Sequence, residues 1–94
     1  VRAFGSSAYY LTCMQFMLAP YPQEGDAFRD GRPDLAADIS TNSWGCPHRI
    51  EGCDEQTLWI ATQALRDAGI FFVAAAGNEG PICNSLQTPP GNYG

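Results

Sequence analysis

Tyr10, Met14, Met17 and Leu18 recur at i, i+4, i+7 and i+8, the spacing that lines one face of an α-helix. A hydroxyl N-cap at Ser6 or Ser7 and a stop at Pro20 and Pro22 bound that helix, which is expected to run to about Leu18. Leu58, Ala61, Leu65 and Ala68 repeat the helical spacing, with Asp54 as N-cap, Glu55 in the first turn and Gly69 as the C-terminal stop. Between the helices, residues 38–44 (DISTNSW) are rich in β-branched side chains and closed by Gly45, which predicts a strand. Residues 70–76 (IFFVAAA) form an unbroken apolar run. A strand without alternation is expected to be covered on both faces, as in a parallel sheet between helices. Residues 1–4 (VRAF), stopped by Gly5-Ser6-Ser7, read as the tail of a strand that begins before Val1. The order β-α-β-α-β with short links predicts an α/β layer architecture. Residues 20–37 and 77–94 are punctuated by Gly, Pro and charges or Asn, and read as loops.

Composition narrows what such a chain does. Its 94 residues allow one domain, and 45% hydrophobic content is enough for a core. The net charge of −5 comes with no basic run, which argues against nucleic acid as a partner. No apolar run is long enough to span a membrane, and any signal peptide is expected to lie outside the chain. The 4 cysteines suit an oxidising compartment and allow three full pairings. Cys46 and Cys53 flank a turn-rich loop short enough to bring them within bridging range, so that disulfide is preferred. Cys13 and Cys83 can then remain reduced. Cys46, His48 and Cys53 lack a second ligand pair at finger-like spacing, so no metal site is expected there. Glu24, Asp26, Asp30 and Asp34 lack the ordered alternation of a calcium loop and read as a solvated surface.

In parallel α/β sheets, functional groups gather where strands end at their carboxyl termini. Two segments fall there, Asn42-Ser43-Trp44-Gly45 and Ala75-Ala76-Gly77-Asn78-Glu79-Gly80-Pro81. Gly77 and Gly80 let backbone approach a ligand closely, and Asn78 offers an uncharged donor at a rigid strand end.

The segment Ala75-Ala76-Gly77-Asn78-Glu79-Gly80-Pro81 resembles the one that carries the oxyanion-hole Asn in subtilisin-like serine proteases, the peptidase S8 family. Asp38-Ile39-Ser40-Thr41-Asn42-Ser43-Trp44-Gly45 is similar to that family's substrate-binding strand, and one helix separates the two motifs as in the family. Pro90-Gly91-Asn92-Tyr93 looks like the lead into a further strand, and residues 19–37 look like an insertion. The resemblance implies a partial three-layer, parallel-sheet subtilisin-like fold, with residues 1–94 as the central part of one peptidase domain. It implies that Asn78 donates to the oxyanion. Ser43, Trp44 and Gly45 would pair with an extended polypeptide, and Ala75, Ala76 and Gly77 would form the second wall of the pocket preceding the scissile bond. Glu79 would sit at the pocket rim, and Trp44 with Tyr9 or Tyr10 would line a second apolar pocket on the acyl side.

The family's catalytic Asp, His and Ser motifs are not in this sequence, and His48, the single histidine, does not match the catalytic one. The expected function is therefore that of a segment of a secreted or extracellular serine endopeptidase, whose partners are a polypeptide substrate and the rest of the protease domain. No cofactor is implied beyond calcium in the intact parent, and the segment by itself is expected to be inactive. A catalytically dead, peptide-binding homologue is the alternative, and a self-contained small α/β binding module is a second one.

Overall fold

The computed structural model describes residues 5–46, 51–53, 56, 58–83 and 85–86. Helix α1 spans Ser7–Leu18. Ser6, in extended backbone, caps it by accepting from the Tyr9 amide at 3.3 Å. The helix ends at Ala19, directly before Pro20. Met14 is its buried residue, with Tyr10 and Leu18 packed at the edge of the same core. Met17, expected on that face, is exposed, and so are Tyr9, Leu11 and Phe16. The helix is thus apolar on more than its core-facing side.

Strand β1 (Ile39–Asn42) and strand β2 (Phe71–Ala74) pair in parallel, with Ile39 opposite Phe71 and Asn42 opposite Ala74. Both are shorter than their sequence patterns suggested. Helix α2 (Trp59–Asp67) connects them. Its buried face is Leu58, Thr62 and Leu65, an i, i+4, i+7 set. Ala61 is only half-buried and Ala68 is exposed, so Thr62 takes the central place that the apolar stripe left unassigned. Its hydroxyl is satisfied by donating to the Leu58 carbonyl at 2.9 Å, which lets a polar side chain sit in the core. Asp54 and Glu55, the expected N-terminal signals of this helix, and residues 1–4, the expected first strand, lie outside the described residues.

The C-terminus of α2 shows how local sequence aims the sheet. Gly69 adopts φ +87°, its amide donates to the Arg66 carbonyl at 2.9 Å, and the Ile70 amide donates to the Leu65 carbonyl at 3.0 Å. This paired 5→2 and 6→1 bonding closes the helix, with Leu65 and Ile70 both buried beside it. The chain then enters β2 at once.

Met14, Cys46, Cys53, Leu58, Leu65 and Ile70 form the core, with Phe72 and Trp44 packed against it. Ser40 and Asn42 are buried on the covered side of β1. The other face of the sheet is open: Phe71 is 70% and Ile39 61% exposed, and they are direct register partners. Of the two covered faces expected for the 70–76 run, the described residues cover one. Among the described residues, α1 and α2 contribute to one core.

Residues 20–37 are more ordered than a plain loop. Asp26 Oδ1 accepts from the Phe28 and Arg29 amides at 2.8 and 3.1 Å, and Asp30 Oδ2 accepts from the Asp26 amide at 2.7 Å. A 3₁₀ turn follows at Pro33–Leu35, and Arg32 forms a bidentate pair with Asp34. The Arg32 amide donates to Pro20 O and the Ala37 amide to Met17 O, at 2.8 and 3.0 Å, which ties both ends of the segment to the end of α1. Asp26, Asp30 and Asp34 thus spend their carboxylates on the segment's own backbone and on Arg32.

Candidate functional site

Because β1 and β2 are parallel and in register, they end at the same level. The Ala75 amide donates to the Asn42 carbonyl at 3.0 Å, which carries the pairing one step past the strands. Residues 43–45 and 75–79 therefore leave the sheet side by side at its carboxyl edge, where side chains and backbone can meet a ligand. Ser43, Ala75, Ala76, Gly77, Asn78 and Glu79 are all exposed, and Trp44 and Gly45 are half-buried. Gly77 takes φ +91°, a left-handed backbone that turns the chain directly before Asn78.

Below this edge runs a polar network that sequence reasoning missed. Asn42 is only 5% exposed. Its amide Nδ2 donates to the Ser40 carbonyl at 3.0 Å, to Ser40 Oγ at 3.2 Å and, across the strands, to the Val73 carbonyl at 3.1 Å. Its Oδ1 accepts from Trp44 Nε1 at 3.1 Å. The Trp44 ring stacks on Tyr10, with centroids 4.3 Å apart and planes 12° from parallel. The Tyr10 hydroxyl donates to Glu51 Oε2, and the Gly45 carbonyl lies 3.3 Å from that hydroxyl oxygen. A phenol has one proton, so the carboxylate, charged and closer, takes the larger share of it. The other carboxylate oxygen of Glu51 accepts from the Gly5 amide at 3.1 Å.

Gly5 fits tightly against this arrangement: a Cβ built there would lie 3.0 Å from both Cζ and the hydroxyl oxygen of Tyr10, so the ring would have to shift by a few tenths of an ångström. Burial, reinforced by the hydrogen bond to Glu51 and by its negative charge, pushes the Tyr10 phenol up to about 12. Tyr10 is thus a neutral donor throughout the physiological range.

Cys46 and Cys53 are joined in a disulfide with Cα atoms 5.5 Å apart, which ties the end of the 43–46 segment to a position two residues after Glu51. With both sulfurs bonded to each other, a Cys46, His48 and Cys53 ligand set has lost two of its three donors. His48 and Pro90 to Tyr93 lie outside the described residues. Cys13 and Cys83 are free and exposed. Among the described residues, no group of three or more His, Cys, Asp or Glu side chains is arranged to hold a metal ion.

The structure brings the two segments singled out in the sequence together, gives Ser40 and Asn42 within the first of them a buried anchoring role, and adds Glu51. Strand parity carried the signal for the first two: Ser40, Asn42 and Trp44 stand at i, i+2 and i+4 on one side, opposite Ser43. Glu51, outside the strand, had no such signal. Trp44 and Tyr10, expected to line a second pocket, lie against each other.

The model of the subtilase family, peptidase S8, matches residues 16–93. No curated relative and no solved structure matches the chain. The match takes in both strands, the intervening helix and both edge segments, and the chain belongs to the subtilase family.

Proposed function

We propose that this chain is the central part of a secreted serine endopeptidase domain, in which it supplies the substrate-binding strand and one oxyanion donor. Family membership implies serine-peptidase-type function and polypeptide substrates. The observation that carries the finer reading is the in-register pairing of β1 and β2, which ends Asn42 opposite Ala74 and opens two adjacent, exposed segments at one edge. An extended peptide would add along Ser43, Trp44 and Gly45 through main-chain hydrogen bonds. Ala75, Ala76 and Gly77 would form the facing wall of the pocket that holds the residue before the cut. Glu79, at the rim, would favour a basic or polar residue there.

Asn78 would act only as the reaction proceeds. When the acyl carbon becomes tetrahedral, its oxygen gains negative charge, and a side-chain amide held at a strand end needs little reorganisation to meet it. The catalytic Asp, His and Ser would come from sequence outside these residues. The open sheet face at Ile39 and Phe71 and the exposed apolar residues of α1 would be covered by the rest of that domain.

Asn78→Leu in the full-length protein tests this reading, because it deletes the donor at similar volume. The expected result is a fall in kcat of roughly 10²–10³ with KM nearly unchanged, a magnitude taken over from the oxyanion Asn of subtilisin itself. A turn-stabilising Asn would instead lower the melting temperature and raise KM. Failure of the full-length protein to react with a serine-directed fluorophosphonate would point to the peptide-binding, catalytically dead alternative.

A further inference from the structure

We propose that Asn42 is a positioning residue for the oxyanion donor: its buried side chain holds the end of β2, and through it the short segment that carries Asn78. The inference rests on the reading of Asn78 as that donor, and adds a buried residue on the neighbouring strand. Two bonds from Asn42 bracket its register partner, Ala74. The side-chain Nδ2 donates to the Val73 carbonyl at 3.1 Å, and the main-chain carbonyl accepts from the Ala75 amide at 3.0 Å. Asn78 follows three residues past that second bond, across the left-handed turn at Gly77. A tilt of Val73 to Ala75 is therefore carried forward to the Asn78 amide.

The main-chain bond is one that any residue at this register position can make. The side-chain bond is specific to Asn42, and its direction is over-determined. The Trp44 indole N–H can only donate, so the atom it meets at 3.1 Å is Oδ1, and the amide nitrogen must face the other way. There it meets the carbonyl and hydroxyl oxygens of Ser40 and the Val73 carbonyl, each able to accept. Asn42 and Ser40 are both buried, so water does not compete for these bonds. An apolar side chain would fill the same site without fixing the direction of the Val73 carbonyl. An oxyanion donor must meet its oxygen at about 2.7–3.1 Å, so a small displacement of Asn78 weakens the transition state more than it weakens peptide binding.

The test is a double-mutant cycle in the full-length protein. It measures kcat and KM on one peptide substrate for Asn42→Ala, Asn42→Leu, Asn78→Leu and the two double variants. Asn42→Leu keeps approximate volume while deleting the directed bonds, and carries the test should Asn42→Ala fail to fold. Either Asn42 variant should lower kcat by roughly ten- to a hundredfold, the scale of a misplaced catalytic group, and by a larger factor than it raises KM. In the Asn78→Leu background the same substitution should lower kcat by less than about threefold, because the donor it positions is already gone.

An equal fall in kcat in both backgrounds would mean that Asn42 supports the fold or another group of the site, and would overturn the proposal. So would an unchanged kcat in a folded Asn42→Leu variant. Should Asn78→Leu alone leave kcat unchanged, the oxyanion reading itself falls and takes the proposal with it, so the single-variant arm tells the two failures apart. A wild-type protein that cleaves no peptide and takes no fluorophosphonate would overturn the peptidase reading, and the proposal with it.

Discussion

Asn42 is the residue on which the described strand edge most depends, and its replacement by Ala and by Asp separates two consequences of burial. Its side chain has two N–H hydrogens for three acceptors, and one oxygen accepting from Trp44 Nε1, so it makes about three net hydrogen bonds at 5% exposure. At about 1 kcal/mol each, Asn42→Ala should cost about 3 kcal/mol, since the Val73 carbonyl and the Trp44 indole lose their partner together. Asn42→Asp keeps an oxygen for Trp44 but sets a carboxylate against the carbonyls of Ser40 and Val73. That is a buried charge facing two acceptors, and at neutral pH it should cost more than the Ala variant.

The pH dependence then has a fixed sign. Burial and the two carbonyl oxygens raise the introduced carboxyl above its unfolded value of about 3.9. A raised value means that stability is fully present below about pH 3.9 and is lost as pH rises through the folded value. The protonated acid can also donate to the Val73 carbonyl, much as the amide does. Urea unfolding of the full-length variants at about pH 7 and about pH 4.5 should therefore show Asn42→Asp below Asn42→Ala at the higher pH, and gaining on it at the lower one. Comparing the two variants cancels the titration of native groups. An equal loss in both variants, with a gap independent of pH, would refute the assigned hydrogen bonds.

Near-ultraviolet titration of the phenols should find Tyr10 ionising near 12, and its contribution to stability, present below pH 10, should be lost as pH rises from 10 toward 12. Glu51→Gln should bring that value only part of the way down, because burial is the larger cause; a full return to 10 would contradict this. Gly69→Ala should cost about 1 kcal/mol by denaturant unfolding, through backbone strain at φ +87° alone, since a Cβ there meets nothing within 4 Å. A neutral effect would mean that the helix end relaxes without its left-handed residue.

The legible parts of the fold were those written in short-range signals. Ser6 caps α1 through its own hydroxyl, Pro20 blocks the continuation, and Gly69 supplies the one backbone conformation that closes α2 into β2. Each acts within a few residues of itself. The apolar run at 70–76 records what each face requires, not what lies over it among the described residues: Phe72 is packed against the core while Phe71 is open. Thr62 escaped notice because a threonine breaks an apolar stripe in sequence, although its hydroxyl is satisfied within its own helix. Glu51 was illegible for a different reason. Its partners, Gly5 and Tyr10, are 46 and 41 positions away, and only the tertiary fold brings them together.

These unequal signals have a common geometric outcome at the carboxyl edge. A pleated strand alternates its faces, so the residues that anchor the edge and those that meet a ligand must interleave. Ser40, Asn42 and Trp44 take the inward positions of β1 and its extension, and each of the three is bound to at least one other by a hydrogen bond. Ser43 takes the outward position between them and is exposed. Apolar side chains inward would have filled the same volume but fixed no direction. The Asn42 amide instead bonds the Val73 carbonyl, which lies on the neighbouring strand one residue before the end of β2. One side chain thereby sets the registry of both edge segments: Trp44 through its indole on one strand, and the departure of Ala75 through the other. A site that must hold donors to within about half an ångström benefits from such directional anchoring, which non-directional packing does not provide.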